Sequence, residues 1–193
     1  MSLEYAIEKY PCKARLRDGT ESVIRPLLRG DCARMVKFFS VVPEKERLFI
    51  KHRVNDPGLV QEWCRKIDYE SNLVLLMLIG TKVIGEATLH QRQGGWKRHI
   101  GLVTLLTHPD YRGRDISKLL VGELIHIARH LGLKKLEAEV NGERTVAIKC
   151  LEQLGFSQIL HLSDYILDMD GVAHDYVMLG LDLVTEEEYA GAI

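Results

Sequence analysis

The chain has 193 residues, of which 46% are hydrophobic and 27% are charged, and its formal net charge is −1. This size and composition suffice to bury one sizeable core, and no Pro/Ser-rich linker divides the chain, so we predict a single domain over residues 1–193. A near-neutral charge, with no lysine or arginine run longer than two residues, argues against binding to nucleic acid or to a membrane surface. Any basic site must therefore be local.

The cysteines and the amino-terminal segment bear on the compartment. Cys12, Cys32, Cys64 and Cys150 are dispersed, without the close pairs typical of metal sites and redox motifs, which predicts free thiols, no metal and a reducing environment. The first 13 residues carry charges among the apolar ones, and the best apolar run, Leu73 to Ile79, is too short to span a bilayer. We expect a cytoplasmic protein with neither a signal peptide nor an anchor.

In the first half of the chain, a strand pattern at Ser22 to Pro26 is followed by three helical patterns. Apolar residues recur at helical spacing from Leu28 to Phe39, and a second helical segment covers Glu44 to His52. A third runs from Pro57 to Asp68, and proline suits the first turn of a helix. These helices are predicted to cover one face of a sheet.

The middle of the chain is typical of an antiparallel meander that ends in a crossover. Strands are predicted at Leu73–Ile79, Lys82–His90 and His99–Thr107, and their short connections favour antiparallel pairing. An amphipathic helix at Arg114–Leu131, ended by Gly132, leads to a strand at Lys135–Val140. This strand–helix–strand order implies one parallel pair.

The remaining elements complete a three-layer pattern. They are a helix at Glu143–Leu154, strands at Ile159–Met169 and Tyr176–Leu183, and a short last helix that starts at Thr185–Glu188. We therefore predict an α/β fold with three α/β/α layers, in which a central mixed, mostly antiparallel sheet of about seven strands carries helices on both faces.

The segment from His108 to Lys118 is the most informative one, because a strand pattern passes there into a charged turn that opens the amphipathic helix. Unpaired backbone N–H groups in a helix's first turn, its positive dipole end and flanking arginines together form an anion site. Arg112, Gly113 and Arg114 supply this combination. The segment is therefore predicted to bind a pyrophosphate.

The spacing of this segment also resembles the acyl-CoA loop of GNAT-type N-acetyltransferases, Pro-x-x-Arg/Gln-Gly-x-Gly-x-Gly/Ala. The order of elements and the ending Leu151-Glu-Gln-Leu-Gly-Phe156 look like the GNAT fold across nearly the whole chain. Leu16-Arg-Asp-Gly-Thr20 with Ile24-Arg-Pro26 resembles the opening of GNAT domains in bacterial protein lysine acetyltransferases. The resemblance implies a GNAT fold that uses acetyl-CoA, or another acyl-CoA, as cosubstrate.

The resemblance further implies where the cosubstrate would lie. Backbone groups of the strand before the loop would hold the pantetheine arm where a bulge splays that strand from the next, and loop amides with basic neighbours would bind the pyrophosphate. Arg144 stands where relatives often carry an asparagine, and Asn141 lies one helical turn earlier. The binding residues predicted in this way are Leu105, Leu106, Thr107, Arg112, Gly113, Arg114, Asp115, Ile116, Ser117, Lys118, Asn141 and Arg144.

Asp115 and Ser117 depart from the family pattern, which has small residues at both positions. A carboxylate about 4 Å from a phosphate would cost on the order of 4 kcal/mol at an effective dielectric constant of 20. Two alternatives avoid this cost: Asp115 faces solvent, or it caps the first turn of its own helix. Serine is small, and its hydroxyl can donate to a phosphate oxygen.

The residues that would move protons are poorly marked. Many GNAT enzymes have a glutamate on the fourth strand and a tyrosine five residues before the closing phenylalanine, but Ile100 to Thr107 contains no acid and the second position is Leu151. Glu86 is our first choice for a catalytic base, and Glu139, on one strand face with Glu137, is the second. The alternative for each glutamate is a structural one, in which its carboxylate lies on a strand face and is solvated or ion-paired.

The sequence predicts an N-acetyltransferase that moves an acetyl group from acetyl-CoA to a primary amine, with a backbone donor near Leu106 polarising the thioester carbonyl. A protein lysine is one candidate acceptor, and small amines and antibiotics are others. The alternative from a different class is a catalytically silent GNAT-like module that senses acyl-CoA or binds a partner protein, and a third reading is a domain that no longer binds CoA. GNAT-type folds often dimerise, so a homodimer is among the expected assemblies.

Overall fold

The computed structural model describes residues 3–47 and 56–183. The described strands are β1 (Cys12–Arg15), β2 (Glu21–Pro26), β3 (Asn72–Ile79), β4 (Lys82–His90), β5 (Ile100–Thr107), β6 (Lys135–Asn141), β7 (Ser157–Leu167) and β8 (Ala173–Asp182). The described helices are α1 (Leu3–Ile7), α2 (Cys32–Val41), α3 (Glu44–Arg47), α4 (Pro57–Arg65), α5 (Ile116–His130) and α6 (Thr145–Gln153).

Within the described part of the chain the strands form one eight-stranded sheet in the order β1-β2-β3-β4-β5-β6-β8-β7. Every neighbouring pair is antiparallel except β5 and β6, which are parallel. The predicted meander and the predicted parallel pair across the helical crossover are therefore confirmed. β3 is apolar and buried over nearly its whole length, because helices cover both of its faces.

The sheet has one strand more than the sequence predicted. The additional strand, β1, has four residues that alternate between half-buried and exposed, and it lies at the sheet edge, so it lacks an apolar run. The predicted last helix at Thr185–Glu188 lies outside the described residues. So does the part of the predicted Glu44–His52 helix that follows Arg47.

Two hydrophobic clusters separate the layers. The apolar stripe of α5, including Leu120, Leu124 and Ile127, packs with one face of the sheet and with Phe156. Met35 and Phe38 of α2 and Val60 of α4 pack against the other face. The helices on the two faces confirm the predicted three-layer architecture.

A close approach between β4 and α5 positions the start of α5. A Cβ atom added to Gly85 would lie 2.5 Å from Cγ2 of Ile116, the first residue of α5, and 3.0 Å from Cδ1 of Leu120. Only glycine leaves room for this contact. The amino terminus of α5, and the loop that leads into it, are thereby held against the sheet beside the end of β5.

Candidate functional site

β5 and β6 pair over only part of their length. Ile100, Gly101 and Leu102 pair with Lys135, Leu136 and Glu137, whereas β5 continues to pair with β4 as far as Thr107. Among the described strands, none pairs with the β6 side of β5 beyond Leu102. Leu105, Leu106 and Thr107 lie in this open stretch and are all half-buried. Backbone groups alternate between the two sides of a strand, and the N–H of His108 donates to the carbonyl of Ile84 on β4. The groups of Leu106 therefore face β4, and those of Leu105 and Thr107 face the open side, where they are available to an extended ligand.

The loop after β5 presents free backbone donors. A 3-10 turn at Pro109–Tyr111 is followed by Gly113, whose φ is +75°, and then by α5. Within residues 3–47 and 56–183, no carbonyl or side chain accepts a hydrogen bond from the backbone N–H groups of residues 113–118. The first N–H group of this region with an acceptor is that of Leu119, which donates to the carbonyl of Asp115 at 3.0 Å. Such a row of N–H groups at a helix amino terminus is an anion site.

Asp115 has the backbone conformation of a glycine. It stands at the N-cap of α5 with φ +64° and ψ +16°, a left-handed conformation that costs most non-glycine residues about 1–2 kcal/mol. Its side chain makes no capping hydrogen bond. Instead its Oδ1 lies 3.7 Å from Nζ of Lys118, and 39% of the side chain is exposed. Of the two alternatives for Asp115, the structure therefore favours a solvent-facing carboxylate over a capping one.

The basic side chains around the loop are held by carboxylates. Glu46 of α3 bridges two arginines, with Oε1 2.5 Å from Nη2 of Arg112 and Oε2 3.0 Å from Nη2 of Arg144. Arg114 pairs with Asp18 at 2.7 Å. The three arginine side chains are each about two-fifths exposed, whereas Glu46 is 14% exposed. A phosphate group can therefore reach the guanidinium groups and compete with the carboxylates for them, since ion pairs near the surface contribute only on the order of 1 kcal/mol.

Ile116 and Asn141 have side chains that are already engaged. The Ile116 side chain is buried in the core, so only its backbone N–H faces the loop. Asn141 is buried at the end of β6, where its Oδ1 accepts a hydrogen bond of 2.9 Å from the backbone N–H of Glu143. Asn141 therefore shapes the turn that leads into α6.

Glu86 is a buried carboxyl group. It is 5% exposed, it lies opposite Leu76 and Leu106 in the sheet, and the hydroxyl of Thr88 donates a hydrogen bond to it. Burial raises the pKa of Glu86 to about 7. A carboxyl with this pKa can carry a proton near neutral pH. Because Glu86 is buried, however, it has no direct contact with an amine that arrives from solution.

The pKa of Glu86 predicts a pH-dependent stability. A carboxyl whose pKa is about 7 when folded, against an ordinary value of 4.5, binds a proton more tightly in the folded state. Its stabilising contribution is complete below pH 4.5 and is lost as the pH rises through 7, a change of about 3 kcal/mol at 1.36 kcal/mol per pKa unit. We expect Glu86→Gln to remove this dependence, so that the variant exceeds the wild type in free energy of unfolding at about pH 8 and not at about pH 5.

Urea unfolding of the wild type and Glu86→Gln at the two pH values measures this effect. Glu152→Gln, on the exposed surface of α6, is the matched control and should follow the wild type. Equal pH slopes for the wild type and Glu86→Gln would contradict the assignment of a neutral, buried Glu86.

A cleft of about 230 Å³ lies over the stretch where β5 and β6 pair, next to the point beyond Leu102 where the pairing ends. Ile100 and Leu102 form its apolar part, and Glu137 and Glu139 of β6 line one side. Charged groups of the β4–β5 connection complete the lining, and Nζ of Lys97 lies 3.4 Å from Oε1 of Glu137. The cleft is therefore small, with both signs of charge in its wall.

Glu139 is part of this lining and contacts β8. Burial, followed by the charge of Glu139 and a hydrogen bond to it, raises the pKa of Tyr176 to about 12. Glu86, the other predicted catalytic residue, is not in the lining. The structure therefore separates the two glutamates that the sequence singled out, and it brings only Glu139 to the cleft.

His90, Asn72 and Thr104 form a hydrogen-bonded group that sequence analysis missed. They lie on neighbouring strands, with Nδ1 of His90 2.6 Å from Oδ1 of Asn72 and Nε2 of His90 3.0 Å from Oγ1 of Thr104. His90 and Asn72 line the cleft, and Thr104 is exposed on β5. This arrangement fixes the ring of a titratable side chain at the cleft wall.

The described residues contain neither a membrane-spanning helix nor a cluster of metal ligands. No helix in residues 3–47 and 56–183 has the length and hydropathy needed to cross a membrane. In the same part of the chain, no three His, Cys, Asp or Glu side chains come together as metal ligands, and all four cysteines are free.

Comparisons with known proteins agree with this geometry. Residues 40–156 match the family model described as "Acetyltransferase (GNAT) family". The chain is 28% identical over 153 residues to Acetyltransferase SG1711 of Sodalis glossinidius (strain morsitans). The matched region covers 79% of this chain and 93% of that protein. The chain therefore belongs to the GNAT acetyltransferase family.

Solved structures show the same fold. The GNAT domain of S. lividans PAT superposes with a TM-score of 0.73 at 22% identity, covering 89% of this chain and 96% of that domain. YncA of Salmonella typhimurium, a putative acetyltransferase solved with its cofactor acetyl-CoA, superposes with a TM-score of 0.73 at 20% identity, covering 86% and 96% of the two chains. The GNAT fold predicted from the sequence is thus confirmed.

Proposed function

We propose that this chain transfers an acetyl group from acetyl-CoA to a primary amine. The observation that carries the proposal is the row of unbonded N–H groups at residues 113–118, directly after a strand whose edge is open toward β6. Acetyl-CoA supplies an activated thioester and a pyrophosphate, and these two features suit its extended shape. Membership of the GNAT family and the acetyl-CoA-bound YncA structure support the same reaction.

The roles of the chain's own residues follow from their positions. The N–H groups of residues 113–118 bind phosphate oxygens, and Arg112, Arg144 and Lys118 neutralise their charge. The open backbone edge at Leu105–Thr107 holds the pantetheine arm, and an N–H group near Leu106 polarises the thioester carbonyl. Catalysis then depends chiefly on holding the amine and the thioester together.

The acceptor amine is proposed to enter the cleft beside Glu139. Glu139 and Glu137 offer carboxylates to a cationic amine, and Ile100 and Leu102 offer an apolar surface to its carbon chain. A lysine side chain has this form, a four-carbon stem that carries one amine. The opening residues Leu16–Thr20, which resemble those of GNAT domains in bacterial protein lysine acetyltransferases, support a protein lysine as the acceptor.

A turnover assay with an amine panel tests the proposal. Purified protein and acetyl-CoA are incubated with lysine-containing peptides, peptides blocked at the lysine amine and small primary amines, and the release of CoA thiol is followed. We expect release with free primary amines and none with the blocked peptides. Acetyl-CoA binding without release for any amine would contradict the proposed enzyme and favour a silent acyl-CoA-sensing module.

The Glu46 bridge gives a prediction about affinity. Glu46 occupies the guanidinium groups of both Arg112 and Arg144, so a phosphate must displace it. We expect Glu46→Gln to bind acetyl-CoA several-fold more tightly, because about 1 kcal/mol of ion pairing no longer competes.

Calorimetric titration measures the change, and Glu44→Gln, in the same short helix, is the matched control. A weaker acetyl-CoA affinity in Glu46→Gln, but not in Glu44→Gln, would contradict competition between the Glu46 carboxylate and the phosphates. It would show instead that Glu46 orients Arg112 and Arg144 for the ligand.

A further inference from the structure

We infer that His90 accepts the proton of the acceptor amine, with Asn72 and Thr104 as its positioning residues. This inference rests on the proposed function and adds a catalytic residue to it. Two hydrogen bonds hold the His90 ring in one orientation. The structure places Oδ1 of Asn72 2.6 Å from Nδ1 of His90, and because an amide oxygen only accepts, Nδ1 must carry the hydrogen. The other ring nitrogen, Nε2, is then left with a lone pair.

The lone pair of Nε2 lies against β5. Nε2 of His90 is 3.0 Å from Oγ1 of Thr104, a hydroxyl that donates to it. Thr104 is exposed on β5, two residues beyond Leu102, the last β5 residue paired with β6. It is also two residues before Leu106, about 7 Å along the strand. The Thr104 hydroxyl thus connects the basic nitrogen to the strand whose open edge is proposed to hold the thioester.

The other candidate bases, Glu86 and Glu139, are less suited to accept this proton. Glu86 is 5% exposed and its carboxyl accepts from Thr88 within the sheet. Glu139 lines the cleft but lies against Tyr176. General-base catalysis needs a base that is held in one tautomer and one orientation. The hydrogen bond between Nδ1 of His90 and Asn72 holds the His90 ring in this way.

The cationic amine first loses one proton to solvent. The neutral amine nitrogen then attacks the thioester carbonyl carbon, and the C–N bond forms as the C–S bond breaks. The second proton passes from the nitrogen to the Thr104 hydroxyl, which at the same time gives its own proton to Nε2 of His90. CoA leaves as a thiolate and is protonated from solvent, and His90 returns its proton to solvent through the cleft.

The decisive variant is His90→Gln, which keeps a polar side chain but cannot accept the proton. We expect kcat to fall by about 100-fold or more, in the range of general-base catalysis, with an unchanged Kd for acetyl-CoA. His99→Gln, an exposed histidine that precedes β5, is the matched control. Wild-type kcat in His90→Gln, or a loss confined to Glu86→Gln, would overturn the inference.

Asn72→Asp separates catalysis from folding. A carboxylate on Nδ1 favours the imidazolium, so the acid limb of kcat/KM should move to higher pH, whereas a merely structural Asn72 would leave it in place. The charged groups that face His90 across the cleft are Arg92, Lys97, Glu137 and Glu139, and they act equally in the wild type and the variant. An unshifted limb would overturn the role of Asn72.

A measurement without turnover completes the test. Nitrogen-15 NMR of the His90 ring at neutral pH should show the tautomer with hydrogen on Nδ1, and a hydrogen on Nε2 would overturn the inference. If the wild type acetylates no amine, the proposed function fails and the inference fails with it. If the wild type turns over and His90→Gln turns over equally, only the inference fails.

Discussion

Replacing Gly113 by valine is expected to weaken acetyl-CoA binding on the order of 100-fold. Gly113 has φ +75°, and a β-branched residue there either strains the backbone by about 1–3 kcal/mol or moves it. Movement would misdirect the adjacent N–H groups, and hydrogen bonds to charged groups contribute about 1.5–3 kcal/mol each. Two such bonds account for the expected loss.

The chain offers a control with the same strain. Gly132 also has φ +75° and open space around its Cβ position, but it follows the other end of α5. Gly132→Val should therefore lose a similar free energy of unfolding and retain acetyl-CoA affinity. Thermal unfolding and calorimetric titration of both variants separate the two effects, and parallel losses of affinity would contradict a phosphate site at the loop.

Asp115→Gly is expected to tighten acetyl-CoA binding by about 10-fold. It removes a negative charge from the amino terminus of α5, worth about 1 kcal/mol at 4 Å in water, and it releases Lys118 from its 3.7 Å ion pair. The free energy of unfolding should change little. Relief of the left-handed backbone, about 1–2 kcal/mol, is offset by the greater entropy of glycine in the unfolded chain.

Asp164 is the matched control, because it is the other described non-glycine residue with positive φ, at +52°. It lies within β7 on the exposed hairpin, away from the loop. Asp164→Gly should leave acetyl-CoA affinity unchanged. A tighter affinity in both variants, or in neither, would contradict the view that the Asp115 carboxylate opposes the phosphates.

The sequence predicted the layers, the meander and the crossover because each depends on local signals. The apolar run of β3 and the stripe of α5 mark buried elements directly, and short connections limit how strands can pair. β1 was missed because a four-residue edge strand with every second side chain exposed carries no such signal.

The turn into α5 was predictable for the same reason, since Gly113 and the helix start lie together in the chain. Ion pairs between distant segments could not be predicted from the sequence. The Glu46 bridge to Arg112 and Arg144 joins three separate parts of the chain, and nothing in the local pattern at Glu46 indicates it.

The His90 group was hidden by a change of register. Ile79 pairs with Lys82, and a regular hairpin counted from that turn would place Asn72 opposite Leu89. A bulge at Met77/Leu78 shifts the pairing by one residue, so Asn72 lies opposite His90 instead. Only the three-dimensional structure reveals that shift.

Calorimetric titration of the wild-type protein with acetyl-CoA is the decisive test of an acyl-CoA site in this chain. We predict saturable binding at one site per chain, weakened by salt because phosphate contacts contribute to it. Absence of heat, together with no change in thermal unfolding at millimolar acetyl-CoA, would contradict the assignment of residues 113–118 and the open edge of β5 as an acyl-CoA site.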